Sequence, residues 1–261
     1  MGLRARLAAL ADKNDVVYSF VTTPAAWFSA AVLVVLVAAA LLAPWLSSVN
    51  PFDLGSLDVT DAHLPPAWTE EGDARFWLGT DDQGRDLLSA ILYGLRLSLL
   101  ISLVSVALSI VIGVGLGVTA GFAGGWIDTV LMRVCDVMLS FPAILVALLA
   151  DGILRSAFPG AAHESVAYFV LIFAITLSGW VPYARTVRGL TLVEKGKEFV
   201  MAAELIGEKK LTVMRRHILP NVLGPVFVLA AVNVATAVMT EATLSFLGVG
   251  VPPTTPSLGT L

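Results

Sequence analysis

Charge is scarce in this sequence. Asp, Glu, Lys and Arg supply 14% of the 261 residues, against 57% hydrophobic ones, and mean hydropathy is +0.86. Soluble domains carry nearer a quarter charged residues, so the chain reads as an integral membrane protein. Cysteine is almost missing: Cys135 stands alone in an apolar run, which excludes an internal disulfide framework or a thiolate metal site and leaves a packing role. His63, His163 and His217 are far apart and show no metal-ligand spacing. No G-x-x-x-x-G-K-[ST] loop occurs, so nothing in the chain argues for ATP binding. No Ser, His and Asp set has nucleophile context, and no carboxylate pair sits in an expected aqueous cleft, so an enzyme reading has no support. The alternating pattern of a membrane β-barrel is absent as well.

What the chain has instead is long apolar runs. A bilayer core of roughly 30 Å takes about 20 apolar residues in a helix. Five segments meet that length: residues 25–46, about 84–120, about 127–150, about 165–183 and about 222–246. The fold class is therefore all-α and membrane-integral, with five spans. Residues 1–24 form a polar N-terminal segment and 47–83 a loop rich in Pro, Asp and aromatics. The apolar core at 25–46 is too long for a cleavable signal, so it is expected to be an uncleaved first span. Thr80 or Asp81 fits the N-cap of the second span, because a short polar side chain satisfies free backbone N–H groups there. Pro142 is expected to kink the third span, 151–164 to form a short outer loop, and Pro182 to lie near the inner end of the fourth.

The charges that exist are sorted by side. Eight of the 16 Lys and Arg residues fall between Arg185 and Arg216, whereas the stretch from Asp53 to Asp86 holds nine carboxylates against Arg75 and Arg85. The positive-inside rule makes the first region cytoplasmic and the second extracytoplasmic. The N-terminus is then cytoplasmic, and the Pro- and Gly-rich end after residue 246 lies outside.

Within the spans, Gly113, Gly117 and Gly121 recur every four residues, placing three missing side chains on one helical face where a neighbour can approach closely. That face serves either close packing or a moving interface in a gated pathway. Arg133 and Asp136 have the i,i+3 spacing of a pair, and Glu241 is a carboxylate deep in the fifth span. Such groups are costly in hydrocarbon and mark either a substrate pathway or a buried structural bond. Asp128, nearer the cytoplasm, is expected to be hydrated.

The cytoplasmic stretch at about 186–221 is the most distinctive. Residues 188–206 are rich in helix formers, Gly207 suits a helix C-cap, and a second helix fits 208–218, ending at Pro220. Small Ala202 and Ala203, flanked by Phe199, Leu205 and Ile206, give a low apolar ridge suited to a groove in another protein. Lys209, Lys210, Arg215 and Arg216 suit acids on that partner or anionic lipid.

These residues resemble the cytoplasmic signature loop of ABC importer permeases, with Ala202, Ala203, Gly207, Leu219 and Pro220 matching and Met201 standing at the usual Glu position. The segments GTDDQGRDLLSAILYGLRLSL (79–99), DVMLSFP (136–142), HILPN (217–221) and EATLSFLGVGVPP (241–253) are similar to the dipeptide, oligopeptide and nickel importer type. The resemblance implies a type I ABC importer permease fold with 84–261 as its core domain, and a sixth span after PSLGTL. It implies a coupling role for the 199–207 segment, and a bacterial inner-membrane location. It also implies the partners: a second related permease subunit, two ATP-binding subunits that hold ATP and Mg, an extracytoplasmic substrate-binding protein and membrane lipids, with no nucleic acid and no cofactor on this chain. Di- or oligopeptide is the expected cargo, with nickel, glutathione, opine or oligosaccharide as alternatives. An ion-gradient-driven transporter would show inverted repeats and midplane ion ligands, and no such repeat is visible; a scaffold without a pathway is the remaining rival.

Overall fold

The computed structural model describes residues 20, 22–47, 50–51, 58–157, 163–252 and 255–261. Most of the expected N-terminal segment 1–24, the start of the acidic loop around Asp53, and Pro253 lie outside them. The described residues are helical, with one isolated bridge between Thr80 and Asp86 and no extended strand. Among the described residues four helices are long and apolar enough to cross a membrane, or up to five if the bent pair below is one span.

The chain divides into two compact units, Met1–Arg96 and Leu97–Leu261. The first contains helix α1, Pro24–Leu46, the described part of the long loop, and the start of helix α2, Leu87–Ala123. Phe28, Leu41 and Trp45 of α1 are all exposed, and a helix that is apolar all round suits hydrocarbon or a helical neighbour rather than water. In the loop the structure corrects the expected cap. Thr80 and Asp81 do not start α2; they fold the GTDDQGRD turn on itself. The Thr80 amide donates to the Leu64 carbonyl at 3.0 Å, and the Asp81 carboxylate accepts the backbone amides of Gln83 and Arg85, each at 2.9 Å. The Arg85 Nε also donates to Asp81 at 2.6 Å, and Arg85 is buried. Asp86 takes the capping role, its carboxylate accepting the Ser89 amide at 3.0 Å and bonding to the Ser89 hydroxyl. The motif contains two acids at the right distance from an apolar run, and the one that Arg85 claims is unavailable as a cap.

The second unit is built around one helix. After α2 come α3, Gly125–Ser140, α4, Ala143–Ala157, and α5, His163–Lys195. Then follow α6, Glu198–Leu205, and α7, Lys210–Val213. A stretch of π-helix, Met214–Ile218, leads into α8, Leu219–Phe246. Helices α3, α4, α6 and α8 and the π-helical stretch all pack on α5. Helix α2 meets it through the glycine stripe. A Cβ at Gly113 would lie 2.5 Å from the Trp180 carbonyl oxygen, at Gly117 2.6 Å from that of Ala184, and at Gly121 2.7 Å from Thr191 Cβ. The stripe is thus a close backbone contact.

Several boundaries differ from expectation. Pro142 separates α3 from α4, which bend by 92°, a full break rather than a kink. Helix α4 runs to Ala157, so the outer connection is shorter than 151–164. Helix α5 does not stop near Pro182; it continues to Lys195. Pro182 forfeits one backbone hydrogen bond, whereas unwinding the turns beyond it would strand several polar groups at membrane depth. Val181, Tyr183, Ala184 and Val187 are fully buried on the way. The expected helix over 188–206 is interrupted at Gly196, and that over 208–218 does not end at Pro220. The π-helical stretch leads into Pro220 instead: the Leu219 amide reaches back to the Met214 carbonyl, Asn221 Nδ2 donates to the His217 carbonyl at 2.9 Å, and the helix runs on past the proline to Phe246.

Candidate functional site

The 196–221 segment is a short helical hairpin with a buried and an exposed side. Helix α6 ends at Gly207, whose φ of 85° lies in the left-handed region that only glycine reaches cheaply. The Gly207 amide donates to the Glu204 carbonyl at 3.0 Å and the Glu208 amide to the Ala203 carbonyl at 3.1 Å, the paired bonds of a Schellman cap. This tight reversal leaves Leu205 and Ile206 at the tip, 88% and 84% exposed. Phe199 and Met201 are part-exposed beside them and Ala202 is exposed. Ala203, expected on the ridge, is instead buried with Val200, Val213 and Ile218 in the main core. Its small side chain lets α6 lie against its own chain.

Polar bonds brace the hairpin. Glu194, at the end of α5 and nearly buried, accepts Lys197 Nζ at 2.6 Å and Asn221 Nδ2 at 3.1 Å. One carboxylate therefore ties α5, the turn before α6 and the start of α8. Lys195 Nζ donates to the Phe122 carbonyl at 2.7 Å and lies 5.1 Å from that ring. His217 Nε2 is 3.2 Å from Glu208. A row of apolar side chains is thus held out on a braced base, a surface that can dock in an apolar groove and transmit a push.

The span charges sit elsewhere. Arg133 and Asp136 are 3.7 Å apart, and the closer partner of Asp136 is Arg185 of α5. Asp128 is paired rather than merely hydrated: Arg188 donates to it with Nε and a terminal nitrogen, each at 2.5 Å, the bidentate fork that planar guanidinium favours. Glu241 is fully buried, and both its oxygens accept hydroxyls, from Ser98 at 2.5 Å and Ser245 at 2.8 Å. Ser98 also accepts the Leu258 amide at 3.4 Å, which ties the loop after α8 to α2. The partners Arg185, Arg188 and Ser98 are not recoverable from spacing, since each acts across helices; Ser245, one turn from Glu241, has the i,i+4 spacing that sequence alone displays.

Residues 113–261 match the family described as binding-protein-dependent transport system inner membrane component, and residues 14–66 match the N-terminal TM domain of oligopeptide transport permease C. The chain is similar to the dipeptide transport system permease protein of Haemophilus influenzae, 34% identical over 85% of this chain and 70% of that protein. It is similar to the oligopeptide transport system permease protein of Bacillus subtilis, 33% identical over 95% of this chain and 75% of the relative. The glutathione transport system permease protein of Shigella dysenteriae is 35% identical over 88% of this chain and 70% of its own length.

Proposed function

Because the chain belongs to the binding-protein-dependent transport system inner membrane components, we propose that it passes di- or oligopeptides across the inner membrane of a bacterium, and that its hairpin receives the work of ATP hydrolysis. As a permease of an ABC importer it is the non-catalytic, multi-pass part of a transporter complex. The type I permease fold accords with its all-helical spans. The reading assigns it a second permease subunit, two ATP-binding subunits that hold ATP and Mg, and a binding protein that delivers cargo to the acidic outer loop. The basic hairpin then faces the cytoplasm, as does the N-terminus.

The observation that carries the coupling role is the exposed ridge of Met201, Leu205 and Ile206 on a base of buried Val200 and Ala203. Met201 gives up the carboxylate that the family motif places there, so docking rests on apolar contact. The test is Leu205→Asp in the assembled complex, with Lys209→Gln as control. A charge driven into an apolar groove costs several kcal/mol unless paired. Uptake should collapse in the first variant while the chain still inserts and folds, because Leu205 touches little of its own chain. Uptake at the wild-type rate in Leu205→Asp would refute the assignment. Glutathione is the second cargo reading, favoured by the Shigella relative. Competition between labelled dialanine and glutathione in proteoliposomes, each with the cognate binding protein, separates the two.

A further inference from the structure

Away from the hairpin and the ion pairs, the second unit holds a cavity of about 280 Å³ between α2, α3, α5 and α8. Its lining is unusual for a membrane interior. Ser109, Ser178, Tyr183, Asn233, Thr236 and Thr240 all border it, and no lining side chain carries a charge. Polar groups at this depth are costly and mark a pathway or a bonded network, and the bonds here run to backbone carbonyls and leave one hydroxyl over. The Tyr183 hydroxyl is buried and completes no hydrogen bond, although the Asn233 side chain lies near it. A buried donor left unmet costs stability, and such a group at the edge of a cavity is a candidate for contact with a ligand.

The other hydroxyls have spent their donors. Thr236 and Thr240 Oγ1 donate to the carbonyls of Asn233 and Thr236, at 3.0 and 2.8 Å. Ser178 Oγ donates to the Ile175 carbonyl at 3.2 Å and Ser109 Oγ to the Thr176 carbonyl at 3.4 Å. Each then offers lone pairs alone. The cavity therefore presents several acceptors, an amide and one unused phenolic donor, with no charge. That set complements a neutral group that both donates N–H and accepts at C=O.

We propose that this cavity is a contact site for the backbone amides of a passing peptide, with Tyr183 donating to a peptide carbonyl and the Ser and Thr oxygens accepting peptide N–H groups. The inference rests on the peptide reading above. At about 280 Å³ the space is at the lower end of small-ligand pockets, so it holds one or two residues at a time. The site reads the amide unit common to all peptides and ignores charged termini and side chains, which suits a pathway that leaves selection to the binding protein.

The experiment uses the full complex in proteoliposomes and labelled trialanine, with wild type, Tyr183→Phe and Asn233→Leu. Tyr183→Phe keeps the packed ring and removes the unmet hydroxyl. A purely structural hydroxyl and a substrate-contacting one then give opposite signs. The site predicts that Tm stays level or rises while uptake at low trialanine falls about three- to tenfold, the weight of one hydrogen bond, with ATP hydrolysis still stimulated by the loaded binding protein. Wild-type uptake in both variants overturns the site and leaves the peptide function standing. A parallel fall of uptake and Tm in Tyr183→Phe also overturns it, since the hydroxyl would then be structural. A wild-type complex that hydrolyses ATP and moves neither trialanine nor glutathione overturns the peptide reading and the site together.

Discussion

The contact between α2 and α5 allows a sharp test, because glycines with opposite surroundings alternate along one helix. At Gly117 an added Cβ would stand 2.6 Å from the Ala184 carbonyl oxygen and 2.9 Å from Val187 Cβ, whereas at Gly115 nothing lies within 4 Å. Ordinary contact begins near 3.4 Å, so Gly117→Ala forces the helices apart by about 0.8 Å. The obstructing atom is backbone and has no rotamer to swing away. Overpacking of this kind costs about 1–3 kcal/mol, while Gly→Ala in a helix returns up to about 1 kcal/mol of propensity. The net for Gly117→Ala is a loss of about 1–2 kcal/mol; for Gly115→Ala it is zero or a small gain. Thermal unfolding of the detergent-purified complex, followed by tryptophan fluorescence, should place Gly117→Ala several degrees below wild type and Gly115→Ala at or above it. Equal melting of the two variants would refute the close-contact reading of the stripe.

Three further outcomes follow from named bonds. Asp86→Ala removes the cap of α2 and should cost about 1 kcal/mol, with Asp86→Asn retaining most of it, read by the same melt. Arg188→Leu leaves Asp128 without its fork and should cost about 1–2 kcal/mol, reduced from the fully buried case because Arg188 is one-third exposed; adding Asp128→Leu should restore most of the loss in a double-mutant cycle. In the long loop before α2, hydrogen bonds from Arg75 hold the Asp73 carboxyl below its ordinary value of 3.8. A depressed carboxylate contributes order that is complete above the unfolded pKa and lost as pH falls through the folded one. Arg75→Gln should therefore move the Asp73 titration upward in an NMR pH series, and an unmoved midpoint would dismiss the pair.

What could be read in advance follows from the range of each signal. Spans were legible because a run of some 20 apolar residues is a property of the segment itself, and the glycine stripe because i,i+4 spacing fixes a face whatever packs on it. Interruptions were misjudged because Pro and Gly report only local cost. Pro182 and Pro220 lie inside continuous helices, the first carried by buried neighbours and the second by a π-helical turn, while Gly196, with less to hold it, does break the chain. The ridge was half legible. Its apolar residues could be named, but which of them face outward depends on the cap at Gly207 and on the core beneath Ala203. The ion pairs and the hydroxyl-lined cavity were out of reach, since Arg185, Arg188, Tyr183 and Asn233 acquire their roles only when helices distant in sequence meet.

Those tertiary roles converge on α5. Within one uninterrupted helix it contributes Ser178 and Tyr183 to the cavity, receives the stripe from Trp180 to Thr191, pairs through Arg185 and Arg188 with α3, and at Glu194 holds both ends of the hairpin. On the proposed coupling role, a push on Leu205 and Ile206 would meet a braced base joined to the helix that lines the cavity, with continuous helix between Tyr183 and the Glu194 brace. Packed helices have discrete arrangements rather than continuous ones. The two ion pairs are the groups that must break or exchange if α3 and α5 slide. On this reasoning Glu194→Gln, which loses the Lys197 ion pair but keeps an acceptor for Asn221, should lower uptake per ATP hydrolysed more than it lowers hydrolysis itself. Equal losses in both would place the brace outside the coupling route.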